Sequence, residues 1–412
     1  MKYGCIGERL SHSYSKEIHE AFADYEYEIV EIEKSKLGKF LTERDFLGIN
    51  VTIPYKETVM PYLDEIHEDA SLVGSVNTIV NNGGKLIGYN TDIVGMTELL
   101  KKANIRPKGK KAAILGTGGT SKTARAVLKR LGASEIVTVS RESKSDAISY
   151  EDFYLSHTDT EIIINTTPVG MYPRPYESPI DVSRFPALSG VADAVYNPLR
   201  TKLVSDASAQ GIPSTTGLYM LVSQAVKASE IFLGKTYADG TTDEVFKKIE
   251  REKKSIVLIG MPSSGKSTVG KLLSDMLGRD FIDTDEQIVK SEGKSIPDIF
   301  KEYGEARFRE IEAEVIERSS LHSGAVIATG GGCVLLSKNV EALKKFGKIY
   351  FIDRPLEHLV PTSDRPLSSS REDIEKRYRE RYEIYLSSAD ERIDAKCDAT
   401  RVANLILEDF CK

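Results

Sequence analysis

The feature that most restricts how this chain can fold is a glycine-rich loop at residues 260–267, GMPSSGKS. The loop lies directly between an apolar run, SIVLI, and a segment with helical periodicity, STVGKLLSDMLG. The pattern G-x-x-x-x-G-K-S in this setting is typical of a P-loop, whose backbone N–H groups surround phosphate oxygens; the alternative is a glycine turn with a surface lysine. It predicts a parallel α/β unit that binds ATP, with Lys266 neutralising the β- and γ-phosphates and the Ser267 hydroxyl ligating Mg²⁺. The predicted nucleotide contacts are Gly260, Ser263, Ser264, Gly265, Lys266, Ser267 and Thr268.

The chain has room for more than this one unit. At about 100–200 residues per domain, 412 residues correspond to two to four domains. The first 250 residues alternate short β-rich runs with helical stretches, and the charged segment KKIEREKK directly precedes the strand SIVLI. This pattern predicts one α/β unit at 1–250 and another at 255–412, joined by a helix end.

Charge and cysteine content narrow the possible partners and compartment. A net charge of −6, without any block of Lys or Arg, argues against a general nucleic-acid or membrane-surface binder. The four cysteines include no C-x-x-C pair, which argues against a zinc site and favours a reducing compartment. No signal-peptide core and no apolar run approaching about 20 residues is present. We expect a cytoplasmic protein that acts on small molecules, and the oligomeric state stays open.

Polar residues suited to a small acidic acceptor follow the P-loop. FIDTD places Asp283 and Asp285 at a strand end, where one could reach Mg²⁺ and the other an acceptor hydroxyl; such a pair is also typical of a helix N-cap. FREIE puts Arg309 and Glu312 on one helical face, either as a surface ion pair or with Arg309 binding a carboxylate. ATGGG ends a buried strand with three glycines, which suits close approach of the backbone to a ligand.

These motifs, followed by DRPL and R-x-x-x-Y, occur in the order found in shikimate kinase, which residues 255–412 resemble. The resemblance implies transfer of a phosphoryl group from ATP, with Mg²⁺, to the 3-hydroxyl of shikimate. Asp285 is then expected at that hydroxyl, Asp283 at the metal, and Arg365 in a lid over the transferring group. The shikimate-binding residues that the resemblance implies are Asp285, Arg309, Gly331, Gly332 and Arg381. The stretch LVPTSDR lacks the additional arginine that many members carry at the adenine face.

A second glycine-rich turn, ILGTGGTSKTA, lies between a strand and a helix in the first unit. It departs from G-x-G-x-x-G because Ser121 takes the third position, so it is compatible with a dinucleotide site or with a plain turn. The next strand, EIVTVS, ends at Ser140 and is followed by Arg141, where an NAD-binding protein has an acid. Arg141 could pair with a 2′-phosphate, which favours NADP over NAD.

The N-terminal region carries polar residues within otherwise apolar strands and turns. Individually these residues could be helix caps, with Ser13 or Ser15 before the first helix and Thr91 or Asp92 before TELLKKA, and Lys56 could be a solvated surface residue. Together they match shikimate dehydrogenase motif by motif: S-x-S, N-V-T-x-P-x-K, V-N-T and N-T-D-x-x-G. The later segments GTGGTS, NTTPVGM, DAVYNPLRT and GLYMLVSQA follow in that family's order.

The resemblance to shikimate dehydrogenase covers about residues 1–250 and implies NADPH-dependent reduction of 3-dehydroshikimate to shikimate. It implies a substrate lobe at 1–95 and 215–248 and a Rossmann-type NADP lobe at 96–214, with Lys56 and Asp92 as the catalytic pair. The remaining substrate residues that it implies are Ser13, Ser15, Thr52, Asn77, Gln224 and Tyr196. The implied cofactor residues are Gly116, Gly118, Gly119, Thr120, Ser121, Ser140, Arg141, Asn165, Thr166 and Met171. A preference for quinate or NAD, or ligand sensing without turnover, remains the alternative.

Overall fold

The apolar runs of the first 90 residues form a mixed six-stranded sheet. The computed structural model describes residues 1–8, 10, 13–141, 146–361 and 370–412. The strands are β1 (Tyr3–Gly7), β2 (Tyr27–Glu31), β3 (Gly48–Val51), β4 (Glu65–Ile66), β5 (Thr78–Asn82) and β6 (Lys85–Tyr89), in the order β2-β1-β3-β5-β6-β4. β5 and β6 form the antiparallel hairpin that the Asn-Asn-Gly-Gly turn predicts, with Gly83 at φ 61° and Gly84 at φ 93°. The helices of this region are α1 (Ser15–Glu20), α2 (Lys34–Glu43), α3 (Glu68–Val73) and α4 (Asp92–Lys102).

The next sheet is entirely parallel, and its four longer strands are largely buried, whereas the two short edge strands are partly exposed. It contains β7 (Lys111–Leu115), β8 (Glu135–Ser140), β9 (Ile148–Ser149), β10 (Ile162–Asn165), β11 (Gly190–Asp193) and β12 (Ser214–Thr215), in the order β12-β11-β10-β7-β8-β9. The helices between them are α5 (Gly119–Arg130), α6 (Tyr150–Ser156) and α7 (Lys202–Ala209). The strand order reverses between β7 and β10, and ligands of doubly wound sheets bind beside such a switch point. The Rossmann-type lobe is therefore confirmed.

Two further helices, α8 (Leu218–Leu233) and α9 (Thr241–Lys253), complete this part of the chain. α8 packs closely on α4 because Gly95 has no side chain: a Cβ there would lie 2.6 Å from the Met220 carbonyl oxygen. This close approach brings Gln224 of α8 beside the polar residues at the start of α4.

The last sheet follows α9 almost at once and is also entirely parallel. Its strands are β13 (Ser255–Ile259), β14 (Phe281–Asp283), β15 (Val326–Ala328), β16 (Gly347–Asp353) and β17 (Glu391–Asp394), in the order β14-β15-β13-β16-β17. Its helices are α10 (Lys266–Leu277), α11 (Thr284–Glu292), α12 (Ile296–Ser320), α13 (Ser337–Phe346), α14 (Arg371–Ser388) and α15 (Ala399–Phe410). Gly304, at φ 77°, interrupts α12.

The chain folds as two compact units, Met1–Ile249 and Glu250–Lys412. Within the described ranges, none of the helices combines the length and the apolar character that crossing a membrane requires.

Two candidate active sites

A cavity of about 430 Å³ in the first unit gathers the polar motifs of the N-terminal region and of the Rossmann lobe. The predicted residues that line it are Ser15, Thr52, Lys56, Asn77, Asp92, Thr120, Thr166, Met171, Tyr196 and Gln224. The first and the last of these residues, Ser15 and Gln224, are 209 positions apart in the sequence. The lining residues meet because most of the motifs follow the ends of β1, β3, β6, β7, β10 and β11 or begin the helices after these strands. Asn77 instead directly precedes β5, and Gln224 lies on α8.

Lys56 and Asp92 form an ion pair at the wall of this cavity. The Lys56 Nζ donates to Asp92 Oδ2 at 2.6 Å, and the two side chains are 18% and 10% exposed. The other carboxylate oxygen, Oδ1, accepts a hydrogen bond from Asn77 Nδ2 at 3.0 Å. Asn77 thus fixes one oxygen of the Asp92 carboxylate while the other oxygen orients the Lys56 ammonium group. Because its side chain is only 18% exposed, Lys56 is not a solvated surface lysine.

The helix-cap alternative is wrong for Thr91. This residue is at the N-cap of α4 but makes no side-chain cap hydrogen bond; its hydroxyl donates to Gln224 Oε1 at 3.4 Å instead. At the start of α1 the N-cap residue is Tyr14, and the Ser13 hydroxyl donates to Ser15 Oγ at 3.0 Å. Thr91 and Gln224 therefore belong to a hydrogen-bonded network around Asn77, whereas Ser13 and Ser15 form a separate pair.

The glycine loop after β7 has the shape that a pyrophosphate requires. Gly116 adopts φ 106°, and a Cβ there would lie 2.9 Å from Thr166 Oγ1. Around Gly118 and Gly119 a Cβ would meet nothing within 4 Å, so the loop is open where α5 begins. Backbone N–H groups at the start of a helix bind anions, so these residues fit a dinucleotide. Ser121 bonds back to the Gly118 carbonyl at 2.6 Å.

Ser140 ends β8, where it is buried, and the exposed Arg141 follows it directly. The strand end therefore carries a cation where an NAD-specific site carries an acid, as the sequence predicts. Glu142, the next residue, lies outside the described residues.

Asn165 supports the cavity from behind and does not line it. This fully buried side chain donates to Asp193 Oδ1 at 2.9 Å. Asp193 also accepts hydrogen bonds from the Val195 N–H at 3.0 Å and the Thr201 hydroxyl at 2.8 Å. Burial raises the pKa of Asp193 to about 7, although these hydrogen bonds act in the opposite direction. One carboxyl group thus joins the loops that carry Thr166 and Tyr196.

The cavity is also lined by residues that were not predicted from the sequence, and among them Asn50, Thr167, Tyr172 and Asn197 carry polar side chains. Asn50 is buried in β3, where its Oδ1 accepts from the Tyr27 hydroxyl at 2.6 Å and its Nδ2 donates to Thr78 Oγ1 at 3.1 Å. An asparagine within an apolar strand is the signal that could have identified it, because a buried amide requires partners.

The second unit contains the P-loop, between β13 and α10. Gly260 and Gly265 adopt φ 148° and 95°, and the Lys266 Nζ donates to the Gly260 and Met261 carbonyls at 2.9 Å each. The Ser263 hydroxyl donates to the Val360 carbonyl at 2.8 Å, and Thr268 is exposed on the first turn of α10. Among the described residues the buried Ser264 hydroxyl has no hydrogen-bond partner. A buried unpaired hydroxyl and a lysine directed into the loop fit a phosphate group.

Ser267 and Asp283 provide oxygen ligands of the kind that Mg²⁺ prefers. The Ser267 hydroxyl donates to Asp283 Oδ2 at 2.6 Å. Asp283 is also the N-cap of α11, since its Oδ1 accepts from the N–H groups of Asp285 and Glu286 at 3.0 and 3.4 Å. Both interpretations of Asp283 are therefore compatible with its position.

The predicted location of Asp285 at a strand end is wrong. β14 ends at Asp283, and because that side chain caps α11, Asp285 lies in the first helical turn. There it faces the ATGGG segment: a Cβ at Gly330 would lie 2.6 Å from Asp285 Oδ1 and 2.9 Å from Glu312 Oε1. The glycines therefore leave room for the protein's own acidic and basic side chains.

Arg309 and Glu312 form a buried pair, so the surface ion-pair alternative is wrong. Arg309 Nη1 donates to Glu312 Oε2 at 2.7 Å, and the side chains are 14% and 1% exposed. Burial raises the pKa of Glu312, while Arg309 counteracts this rise. Arg309 also lies against Gly332, where a Cβ would be 2.6 Å from its Cζ. Glu312 thus joins Arg309 to the Asp285 side of the site, a role that its spacing alone did not indicate.

Arg381 reaches the same place from α14. Its Nη1 donates to the Gly331 carbonyl at 3.1 Å, and the Tyr385 hydroxyl donates to the same oxygen. Asp285, Arg309, Gly331, Gly332 and Arg381 are therefore brought together, whereas Arg365 lies outside the described residues.

Comparison with known proteins assigns both units. The family model for shikimate kinase matches residues 262–411, and that for the shikimate dehydrogenase substrate-binding domain matches residues 5–79. Shikimate dehydrogenase (NADP(+)) of Clostridium perfringens is 36% identical over 265 residues, which cover 60% of this chain and 98% of the relative.

Solved structures match the first unit. Shikimate dehydrogenase 1 from Peptoclostridium difficile is 38% identical with a TM-score of 0.56, covering 61% of this chain and 98% of that one. Shikimate 5-dehydrogenase from Thermus thermophilus, in complex with NADP(H) and shikimate, is 28% identical with a TM-score of 0.54, covering 60% and 99%.

Proposed function

Because the chain belongs to the shikimate dehydrogenase family, with a shikimate kinase domain following in the same chain, we propose that shikimate is the product of its first site and the substrate of its second. The chain is a bifunctional enzyme of the shikimate pathway that uses NADP(H), and ATP with Mg²⁺. We assign the dehydrogenase to 1–250 and the kinase to 255–412. The observation that carries the proposal is the Lys56–Asp92 pair in one cavity and the P-loop beside Asp285 in the other unit.

In the first site we assign acid–base catalysis to Lys56 and Asp92. NADPH supplies a hydride to the ketone carbon of 3-dehydroshikimate, and the carbonyl oxygen then needs a proton to become a hydroxyl. The Lys56 ammonium can donate that proton while Asp92, held by Asn77, keeps it in position. Ser15, Thr52, Tyr196 and Gln224 line the same cavity and orient the substrate ring, while Thr120, Thr166 and Met171 face the cofactor.

In the second site we assign substrate positioning to two arginines and an aspartate. Arg309 and Arg381 bind the shikimate carboxylate, since planar guanidinium groups match carboxylates with paired hydrogen bonds. Asp285 accepts a hydrogen bond from the reacting 3-hydroxyl and orients it. Lys266 and the P-loop amides stabilise the phosphates, and Ser267 with Asp283 would hold Mg²⁺, which neutralises charge on the transferring group. The glycines at 330–332 are what allow these groups to lie so close together.

We further propose that the enzyme works in the cytoplasm. The support is that all four cysteines, which lie in described segments, are free thiols.

Two substitutions test the assignment of two separate activities. Lys56→Ala is expected to reduce shikimate-dependent NADP⁺ reduction by about 10²–10⁴-fold and to spare shikimate-dependent ADP formation. Lys266→Ala is expected to do the reverse, because it removes the cation of the P-loop.

Matched controls are Lys85→Ala and Lys271→Ala, which remove side chains that are 54% and 60% exposed in the first and second unit. Both controls should retain both activities. Loss of both activities in a folded Lys56→Ala or Lys266→Ala protein would show that the assignment to two sites is wrong.

A further inference from the structure

A second cavity in the first unit, of about 450 Å³, lies along α5 beside the glycine loop. Its polar lining comes from Thr117 of the loop, Ser121, Lys122, Arg125 and Lys129 of α5, Thr138 of β8, and Asp146. Three of these side chains are cationic and one is a carboxylate, so the cavity favours an anion. No motif in the sequence pointed to Arg125.

We propose that Arg125 is a specificity-determining residue that, together with Arg141, binds the 2′-phosphate of NADP(H). The proposal rests on the dehydrogenase function proposed above. It extends that function by naming a second cation for the group that distinguishes NADP from NAD.

The position of Arg125 on the sheet supports this role. Its guanidinium donates a hydrogen bond to Thr138 Oγ1 on β8. Side chains two positions apart point to the same face of a strand, so Ser140 lies on that face as well, roughly 7 Å further along. The same cavity includes Thr117 of the glycine loop. The cavity therefore runs from the glycine loop to Thr138, two residues before β8 ends at Ser140. The adenosine ribose of a Rossmann lobe lies beside that strand end.

The charges around the cavity explain why two arginines are needed. A phosphate monoester carries nearly two negative charges, and the strand end provides one cation, Arg141, before the acidic Glu142 in the sequence. Asp146 also faces the cavity and disfavours an anion there. Lys122 is already paired with Glu57 at 2.7 Å, whereas Arg125 is partly buried and held by Thr138. A guanidinium fixed in this way can bind two phosphate oxygens in parallel.

The experiment compares Arg125→Gln and Arg125→Lys with Arg130→Gln in the full-length protein. Arg130 is the control because it is on the same helix, is 62% exposed and pairs with Asp69. The kinetic constants for NADP⁺ and NAD⁺ are measured at saturating shikimate, together with competitive inhibition by 2′,5′-ADP and by AMP. For Arg125→Gln we expect KM for NADP⁺ and Ki for 2′,5′-ADP to rise roughly 10- to 100-fold, with the NAD⁺ and AMP constants unchanged. Arg125→Lys should be intermediate, and the control should match the wild type.

If Arg125→Gln weakened the use of NADP⁺ and of NAD⁺ equally, the proposal would be overturned. Arg125 would then only stabilise the packing of α5 on β8 through its hydrogen bond to Thr138. An unchanged preference for 2′,5′-ADP over AMP would overturn it as well. A wild-type protein that oxidises shikimate with neither cofactor would instead refute the proposed dehydrogenase function. The inhibition constants would then be replaced by direct binding of 2′,5′-ADP and AMP, which tests Arg125 independently.

Discussion

Replacing Asp193 with asparagine isolates the cost of burying one carboxyl group in the Rossmann lobe. Asp193 is fully buried at the end of β11 and accepts hydrogen bonds from Asn165, Val195 and Thr201. Burial raises its pKa from an ordinary value of 3.8 to about 7. Asparagine has nearly the same shape but does not titrate, so the substitution removes the pH dependence that this group contributes.

The sign and size of the effect follow from proton linkage. The unfolded chain releases the Asp193 proton near pH 3.8, whereas the folded protein keeps it until about pH 7. Between these values the folded state binds more protons, so the free energy of unfolding decreases as the pH rises. The pKa difference is 7 − 3.8, or about 3.2 units, which at 1.36 kcal/mol per unit gives about 4 kcal/mol. Relative to Asp193→Asn, the wild type should lose about this much stability as the pH rises from below 3.8 to above 7, and nothing outside that range.

Hydrogen exchange of peptides from β10 and β11 in the full-length protein can measure this difference. From pH 5 to pH 8 we expect the wild type to lose about 3 kcal/mol of opening free energy relative to Asp193→Asn. Asp159→Asn is a control that should show no pH dependence over this range. A hydrogen bond from Lys111 lowers the pKa of the exposed Asp159, so its stabilisation is present above its ordinary pKa and is lost as the pH falls. A difference between wild type and Asp193→Asn that is the same at pH 5 and pH 8 would refute the reasoning, because Asp193 would then be ionised throughout.

Three further changes should each affect one part of the molecule. Gly332→Ala places a Cβ against Arg309; we expect KM for shikimate in the kinase assay to rise roughly tenfold, with the dehydrogenase rate as internal control. Removal of divalent cations with EDTA should stop ADP formation and spare NADP⁺ reduction, because the proposed Mg²⁺ ligands Ser267 and Asp283 lie at the P-loop; restoration by Mg²⁺ is the control. Burial lowers the pKa of His19 from 6.5 to about 3, so the unfolded chain takes up a proton first as the pH falls. Between pH 7.5 and pH 4.5 the wild type should lose about 3 kcal/mol of opening free energy relative to His19→Phe, as measured by hydrogen exchange of β1 and β2. Equal losses in the two proteins would contradict this.

The features that were predictable from sequence are those in which neighbouring residues determine the geometry. The P-loop needs glycines at 260 and 265 for their positive φ angles and a lysine and serine at the start of a helix, and all of these lie within eight residues, 260–267. The hairpin at Asn-Asn-Gly-Gly and the cation after β8 are predictable for the same reason. The prediction that Asp285 lies at a strand end was wrong, because the Asp283 side chain caps a helix that begins before Asp285.

Burial and partners across the fold are what the sequence alone could not supply. Glu312 has the spacing of an ordinary surface ion pair, and only the packing of α12 against the ATGGG segment makes it a buried acid between Arg309 and Asp285. Nothing in the sequence indicates that Asp193 and Asn165 contact each other; the pairing of β10 with β11 brings them together. Likewise, only the packing of α5 beside β8 brings Arg125 to Thr138. The chain's motifs determined which chemistry is available at each loop. The tertiary structure decided which charges are desolvated and which are paired, because the free energy of a charge depends on the groups and the water around it.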